Sequence, residues 1–337
     1  MLSRAFAAKP RWSPRHNDQD QMNSWKSGSI LEYSDDCLVG FVDDLPIIFS
    51  GSDQPAENRL TLREVLRASV GVIGESQLGM TEKVVLLEGK IYAVKRLRKV
   101  TVRRREFGKR IQRLCVVAEK CDYLVPIDAF LYSKRIKFIL SDYYPMGSLA
   151  DLLAGGRELG HTALNWKQRL TIAQDIAYAI AYIHTQCPSY ERNIQMNIHG
   201  NIKASNVMIN IDFTARLSDY GIIHLAEPDE LSSTDALKPC RPMSEFSQKI
   251  DIYDFGGILL DILGGLGVAK CSIKWIIERK DKIRKGEIEF FEFPLEGKER
   301  QQALKVLDVA LVCRNKVVED RPCIEGILKC FGDVIKK

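Results

Sequence analysis

The hydrophobic pattern of this chain changes period once, and that change limits the folds open to it. Between Leu60 and Leu140, short β-branched runs at 84–87, 91–94 and 136–140 are separated by turn formers such as Glu88-Gly89-Lys90. Runs of that length and composition predict strands, with one basic helix near 101–118. After Gly147 the spacing becomes helical, with Trp166, Leu170, Ala173, Ala177, Ile180 and Ile183 on one stripe. The segment 252–263 is apolar nearly all round, which predicts a helix at the centre of a larger helical lobe. The expected fold class is α+β in two lobes, a small mainly β lobe over 59–141 and a larger mainly α lobe over 147–335. A cleft is expected at their junction, near Ser141 and Met146, where small-molecule sites commonly form.

Residues 1–58 are rich in Ser, Asp, Asn, Gln and Pro and read as a flexible leader, apart from an apolar island at 45–49 that would add a lone strand. The first residues carry Arg and Ser and no acid before Asp18. They loosely resemble an organelle transit peptide and read better as a disordered basic tail. No run approaches the roughly eighteen apolar residues of a membrane span, so the expected location is cytoplasmic. The nine cysteines form neither C-x-x-C pairs nor zinc-type spacings with His, which argues against a disulfide framework or a metal centre. A formal charge of +5 is modest for 337 residues and does not by itself imply nucleic acid.

Four segments in order carry chemistry. Ala93-Val94-Lys95 ends a predicted strand. Gly74-Glu75-Ser76-Gln77-Leu78-Gly79 precedes it as a glycine-bearing turn. His199-Gly200-Asn201-Ile202-Lys203-Ala204-Ser205-Asn206 and Asp219-Tyr220-Gly221 follow. Each alone is commonplace; their ordered recurrence resembles the protein-kinase fold. Leu66-Arg67-Ala68-Ser69, Gly147-Ser148-Leu149, Asp251-Ile252-Tyr253-Asp254-Phe255-Gly256 and Asp320-Arg321-Pro322 look most like plant leucine-rich-repeat receptor-like kinases of the frequently inactive kind. The resemblance covers about residues 60–335, the intracellular part of such receptors.

The resemblance implies a site for ATP with Mg2+, lined by Gly74, Ser76, Gly79, Ala93, Lys95, Asp142 and Tyr144, with Asn206 and Asp219 as metal ligands and Lys203 beside the catalytic position. Phosphoryl transfer there needs a carboxylate to accept the substrate proton, and Asn201 stands in that slot as a neutral amide. Ser76 replaces the middle glycine, and Glu75 adds a negative charge near the phosphates. Thr81 and Glu82 replace the apolar residue that covers the adenine and the aromatic after it. In the basic helix, Phe107, Arg110, Ile111 and Leu114 fall on one stripe and the resemblance puts Arg110 in the glutamate slot, so a cation is expected to face Lys95. A register shift of one turn would put Glu106 there instead. Leu237-Lys238-Pro239-Cys240-Arg241 occupies the A-P-E region, which would leave Arg321 to find other partners. Asp251 would cap the backbone of the catalytic loop, and Tyr220 for Phe is a mild change.

Nucleotide is therefore expected to bind weakly or not at all. The expected function is that of a pseudokinase acting as a binding, scaffold or regulatory protein, with active receptor kinases among its protein partners. The alternatives are a weakly active serine/threonine kinase using ATP and a nucleotide sensor. From Lys95 to Arg113 there are ten Lys or Arg against the single Glu106. This reads either as a solvated helix face or as a docking surface for anionic lipid or a phosphorylated partner, peripheral at the plasma membrane. Without aromatic interleaving, nucleic acid is not expected.

Overall fold

The computed structural model describes residues 48–49 and 60–336, apart from positions 77, 99, 159–163, 188–195, 226–246 and 269–272. The smaller lobe is a six-stranded antiparallel sheet in the order β1-β5-β6-β4-β3-β2. Its strands are β1 (Ile48–Phe49), β2 (Ser69–Ser76), β3 (Gly79–Val85), β4 (Ile91–Leu97), β5 (Ala129–Tyr132) and β6 (Lys137–Asp142). Of the lone strand expected at 45–49, residues 48–49 are described and form β1, added to the outer edge of β5; the rest of the flexible leader expected over 1–58 lies outside the described residues. Of the run at 84–87 only Val84 and Val85 are strand: β3 begins earlier, at Gly79, because cross-strand pairing with β4 carries the polar residues Thr81, Glu82 and Lys83 as well, and Leu86 and Leu87 lead into the turn.

Alternation divides this sheet into two faces. Val84, Val94, Phe138 and Leu140 point to one, where they bury Leu62 and Val65 of α1 (Leu62–Arg67). The sequence reading expected no helix there, although Thr61-Leu62-Arg63-Glu64 is a capping box. Glu64 N donates to Thr61 Oγ1, and the Thr61 backbone donates to the Glu64 carboxylate. The other face carries Lys95, directly opposite Thr81 and Ile139, and Ala93, opposite Ser141. Against that side packs α2 (Arg104–Glu119), which buries Phe107, Arg110, Ile111 and Leu114 as their spacing predicts. Glu82 and Arg96 lie on the α1 side, where they pair at 2.5 Å, so Glu82 is turned away from the cleft.

The larger lobe holds α3 (Leu149–Glu158), α4 (Trp166–His184), the β7–β8 hairpin (Val207–Ile209 and Ala215–Leu217), α5 (Gln248–Gly264), α6 (Ile273–Lys285), α7 (Gly297–Cys313) and α8 (Ile324–Lys336). α5 is the central helix the sequence predicts, with Ile252, Phe255, Leu259, Leu260 and Leu263 all buried. The lobes meet where Val125 N donates to Leu217 O and Leu217 N donates to Tyr123 O, which ties β8 to the segment leading into β5. The region 237–241 lies outside the described residues. Arg321 is held by the carbonyls of Asn315 and Lys249 and stacks on Tyr253. Among the described residues, no helix is long and apolar enough to cross a membrane.

Candidate functional site

Asp251 organises the loop at 199–206. Its two carboxylate oxygens accept from the backbone of His199 at 2.8 Å and Gly200 at 2.9 Å, and one of them also meets His184 Nε2 at 3.1 Å. His199 is fully buried and held below the usual imidazole range by desolvation, so it is neutral. Its Nε2 then donates to Ser218 O at 3.0 Å and its Nδ1 accepts from Asn201 N at 3.2 Å. Asn201 thus stands on a loop held by Asp251 and His199, and what an amide changes at this position is side-chain chemistry and not backbone support. Lys203 opens the 3-10 turn Ala204–Asn206, and Asn206 Nδ2 donates to the Asn201 carbonyl at 2.8 Å.

The β8 strand delivers Ser218, Asp219, Tyr220 and Gly221 to the cleft. Ser218 N donates to Asn206 O at 2.8 Å, which joins the two motifs. Asp219 adopts a left-handed backbone (φ 66°), as does Gly221 (φ 68°), where a Cβ would lie 2.5 Å from Leu114. That contact seats Leu114 of α2 directly beneath the motif. Tyr220 is buried, and its hydroxyl donates to the carbonyl of Met196. A phenylalanine would lack that bond, so the tyrosine is a fastening as well as a substitution.

Lys95 pairs with Asp219, both side chains nearly buried. This corrects the expectation that Lys95 faces a cation. Arg110 is buried, but its Nε meets Glu106 Oε1 at 2.7 Å and its NH1 donates to the carbonyl of His224, just beyond the motif. Glu106 is therefore not the partner of Lys95 either. The buried guanidinium finds acceptors of its own instead of being forced against the ammonium, because an unpaired buried charge is far costlier than a rotamer change. It also helps hold His224 neutral: burial first, then the charge of Arg110, lowers that imidazole to about 4.

The glycine-bearing turn forms a tight hairpin with Ser76 opposite Gly79 and Gly74 opposite Thr81. Ser76 Oγ donates to the Gly79 carbonyl at 3.2 Å, closing the hairpin on itself. Gly79 is obligatory, since a Cβ there would lie 1.8 Å from Arg96 O. Leu78 is buried beneath the turn. Glu75, expected to repel phosphate, pairs with Arg98 at 2.6 Å on the exposed surface, where such a pair contributes little.

At the junction of the lobes, Asp142 is exposed while Tyr144 is buried and hydrogen-bonded to Arg216. Asp142 also raises a neighbour that the sequence did not single out. Asp128 is pushed up to about 7, by burial first and then by the Asp142 charge. Between the lobes, Lys95, Leu114, Ser141, Ser218, Asp219 and Tyr220 line a cavity of about 50 Å3. Small-molecule pockets typically run to ~300–1,000 Å3. Lys95, Asn206 and Asp219 have the donor chemistry for a metal–nucleotide; Lys95 and Asp219 are paired with each other, while Asn206 spends only its Nδ2, on the Asn201 carbonyl. In kind these residues fit the group: Lys95 would hold phosphate and Asn206 and Asp219 the metal, once the Lys95–Asp219 contact is exchanged for the ligand.

The protein kinase domain model matches residues 68–329. An inactive leucine-rich repeat receptor-like serine/threonine-protein kinase of Arabidopsis thaliana is 33% identical over 304 residues, covering 85% of this chain and 44% of that protein. A probable inactive receptor kinase of the same plant is 36% identical over 224 residues, covering 65% and 33%. The chain spans less than half the length of these relatives. Among solved structures, the pseudokinase domain of BIR2, an immune regulator of the RLK/Pelle family, superposes with a TM-score of 0.70 at 23% identity, covering 87% of this chain and 91% of that one. The kinase domain of maize SIRK1 (sucrose-induced receptor kinase 1), bound to AMP-PNP, gives 0.67 at 26% identity, covering 86% and 99%. Because the match runs through both lobes and not through the motifs alone, the chain belongs to the protein kinase domain family, alongside the plant receptor-like kinases.

Proposed function

We propose that this chain is a pseudokinase, a kinase-shaped binding or regulatory module in receptor-kinase signalling on the cytoplasmic side of the plasma membrane. Active receptor kinases are the class of partner. The observation that carries this reading is Asn201 on an otherwise complete loop: Asp251, His199 and Asn206 hold it in place, and no carboxylate is there to take a proton. The name of the receptor-like relative that is called inactive supports the same reading. Radiolabelled ATP with a generic protein substrate, run beside a magnesium-ATP thermal shift, tests it. Neither phosphate incorporation nor a rise of several degrees in melting temperature is expected. A rise of that size at millimolar nucleotide would mean binding far above its dissociation constant.

A second reading, nucleotide sensing or weak serine/threonine kinase activity, is favoured by the retention of Lys95, Asn206 and Asp219. The dissociative character of phosphoryl transfer makes activity without a base chemically conceivable. Autophosphorylation by the unmodified chain, abolished by Lys95→Met, would establish it and remove the first.

A further inference from the structure

The basic run from Lys95 to Arg113 is not one surface. Tertiary structure withdraws four of its cations: Lys95 to Asp219, Arg96 to Glu82, Arg98 to Glu75 and Arg110 to Glu106. The start of α2 remains, where Arg103 and Arg105 are exposed and Arg104 is half-buried. A second basic segment, remote in sequence, comes to the same place. The Tyr132 hydroxyl donates to Val102 O at 3.1 Å, and its ring lies 5.1 Å from that of Phe107. This sets the tip of the β5–β6 hairpin beside the start of α2, and the tip carries Lys134 and Arg135, both exposed. Lys137, over the Tyr132 ring at 4.7 Å, completes the set.

We propose that this face of the smaller lobe, built from the start of α2 and the β5–β6 tip, docks on the anionic surface of a lipid bilayer. The only carboxylate within the α2 part, Glu106, is turned onto Arg110. Among the described residues, no carboxylate is paired with Arg103, Arg105, Lys134 or Arg135. A site for a single phosphate group holds its cations rigidly, through bonds that fix each fork in advance. Here the cations are exposed, spread over two elements, and summed rather than focused, which suits a field of headgroups. The inference does not depend on the pseudokinase reading, since none of these residues belongs to the cleft.

The test is co-sedimentation of the full chain with vesicles of phosphatidylcholine and phosphatidylserine, roughly four to one, against phosphatidylcholine alone. Binding is expected to the first only and to weaken with added salt. Each cation near such a surface is worth about a fivefold change in affinity, so Arg103→Gln with Arg105→Gln should weaken binding about 25-fold. Lys134→Gln with Arg135→Gln should do the same, while Lys274→Gln, exposed on α6, should not. Unchanged melting temperatures for these surface variants would separate lost docking from lost folding. Full vesicle binding by the hairpin variant would overturn the composite face. Absence of binding to anionic vesicles, with a phosphoserine peptide captured through the same four residues, would overturn the lipid assignment and make the partner a phosphoprotein.

Discussion

Lys95 reaches across the cleft to the carboxylate of Asp219, with the two side chains 12% and 8% exposed. The group that would hold phosphates and the group that would hold metal therefore neutralise each other. Arg110 contributes differently from what its position implies: it leaves the lysine alone and fastens α2 to the segment after the D-Y-G motif through the His224 carbonyl. The charges of the cleft satisfy one another and are not set in repulsion.

Removing one member of the Lys95–Asp219 pair should leave the other buried without a counter-charge. Lys95→Met is expected to cost about 3 kcal/mol of stability. Adding Asp219→Asn should return most of that loss, because the stranded carboxylate is gone. Urea denaturation of the two single variants and the double variant measures this coupling. Simple additivity would mean that the pair does not form in solution.

Arg110→Glu should destabilise the fold by about 2 kcal/mol, since it removes a buried charge-assisted bond to a carbonyl and sets a carboxylate beside Glu106. Arg110→Lys should lose less, because it keeps the charge and one donor. Thermal or urea unfolding reads the order of the two; a stabilising Arg110→Glu would contradict the fastening role.

Asn201→Asp alone should leave phosphoryl transfer at background. A general base contributes typically ~10²- to 10⁴-fold, but only on a substrate held against a placed γ-phosphate, and Lys95 is occupied. Combining it with Ser76→Gly, which removes the hydroxyl that closes the turn, should yield more phosphate incorporation than either change alone. Strong activity from Asn201→Asp alone would show that the Lys95–Asp219 pair is no obstacle.

Asp128 should make stability fall with rising pH. Its folded-state pKa, about 7, lies above the unfolded value near 3.9, so the native state holds this proton more tightly. The stabilisation is complete below about pH 4 and is lost as pH climbs through about 7. Its Oδ2 has no hydrogen-bond partner to offset ionisation. Asp128→Asn should match the parent near pH 4 and exceed it near pH 8, in melting temperatures taken across that range. Parallel curves would place the titration elsewhere.

Much of the fold was legible because it is written in local spacing. The change from period two to helical period marked the two lobes, the all-round apolarity of 252–263 marked α5, and the 107–114 stripe marked the buried face of α2. The motif order carried the expected site, and the amide at Asn201 was legible from identity alone, since what it changes is the chemistry of one side chain. The helix α1 was missed although Thr61 and Glu64 signalled it, since six residues give too few turns for a period to show.

The sequence by itself determined which charges the cleft owns; only the tertiary structure decided how they are paired. The spacing of Arg110 from Phe107 and Leu114 specifies a helix face, but not where a long side chain ends. That depends on acceptors such as the His224 carbonyl, more than a hundred residues away. The same holds for Lys95, whose partner Asp219 arrives on β8, and for the basic face, where the β5–β6 tip joins α2 only because Tyr132 meets Val102 and Phe107. Buried charge must be compensated wherever an opposite charge or dipole lies within reach, and reach is a property of three-dimensional packing, not of order along the chain.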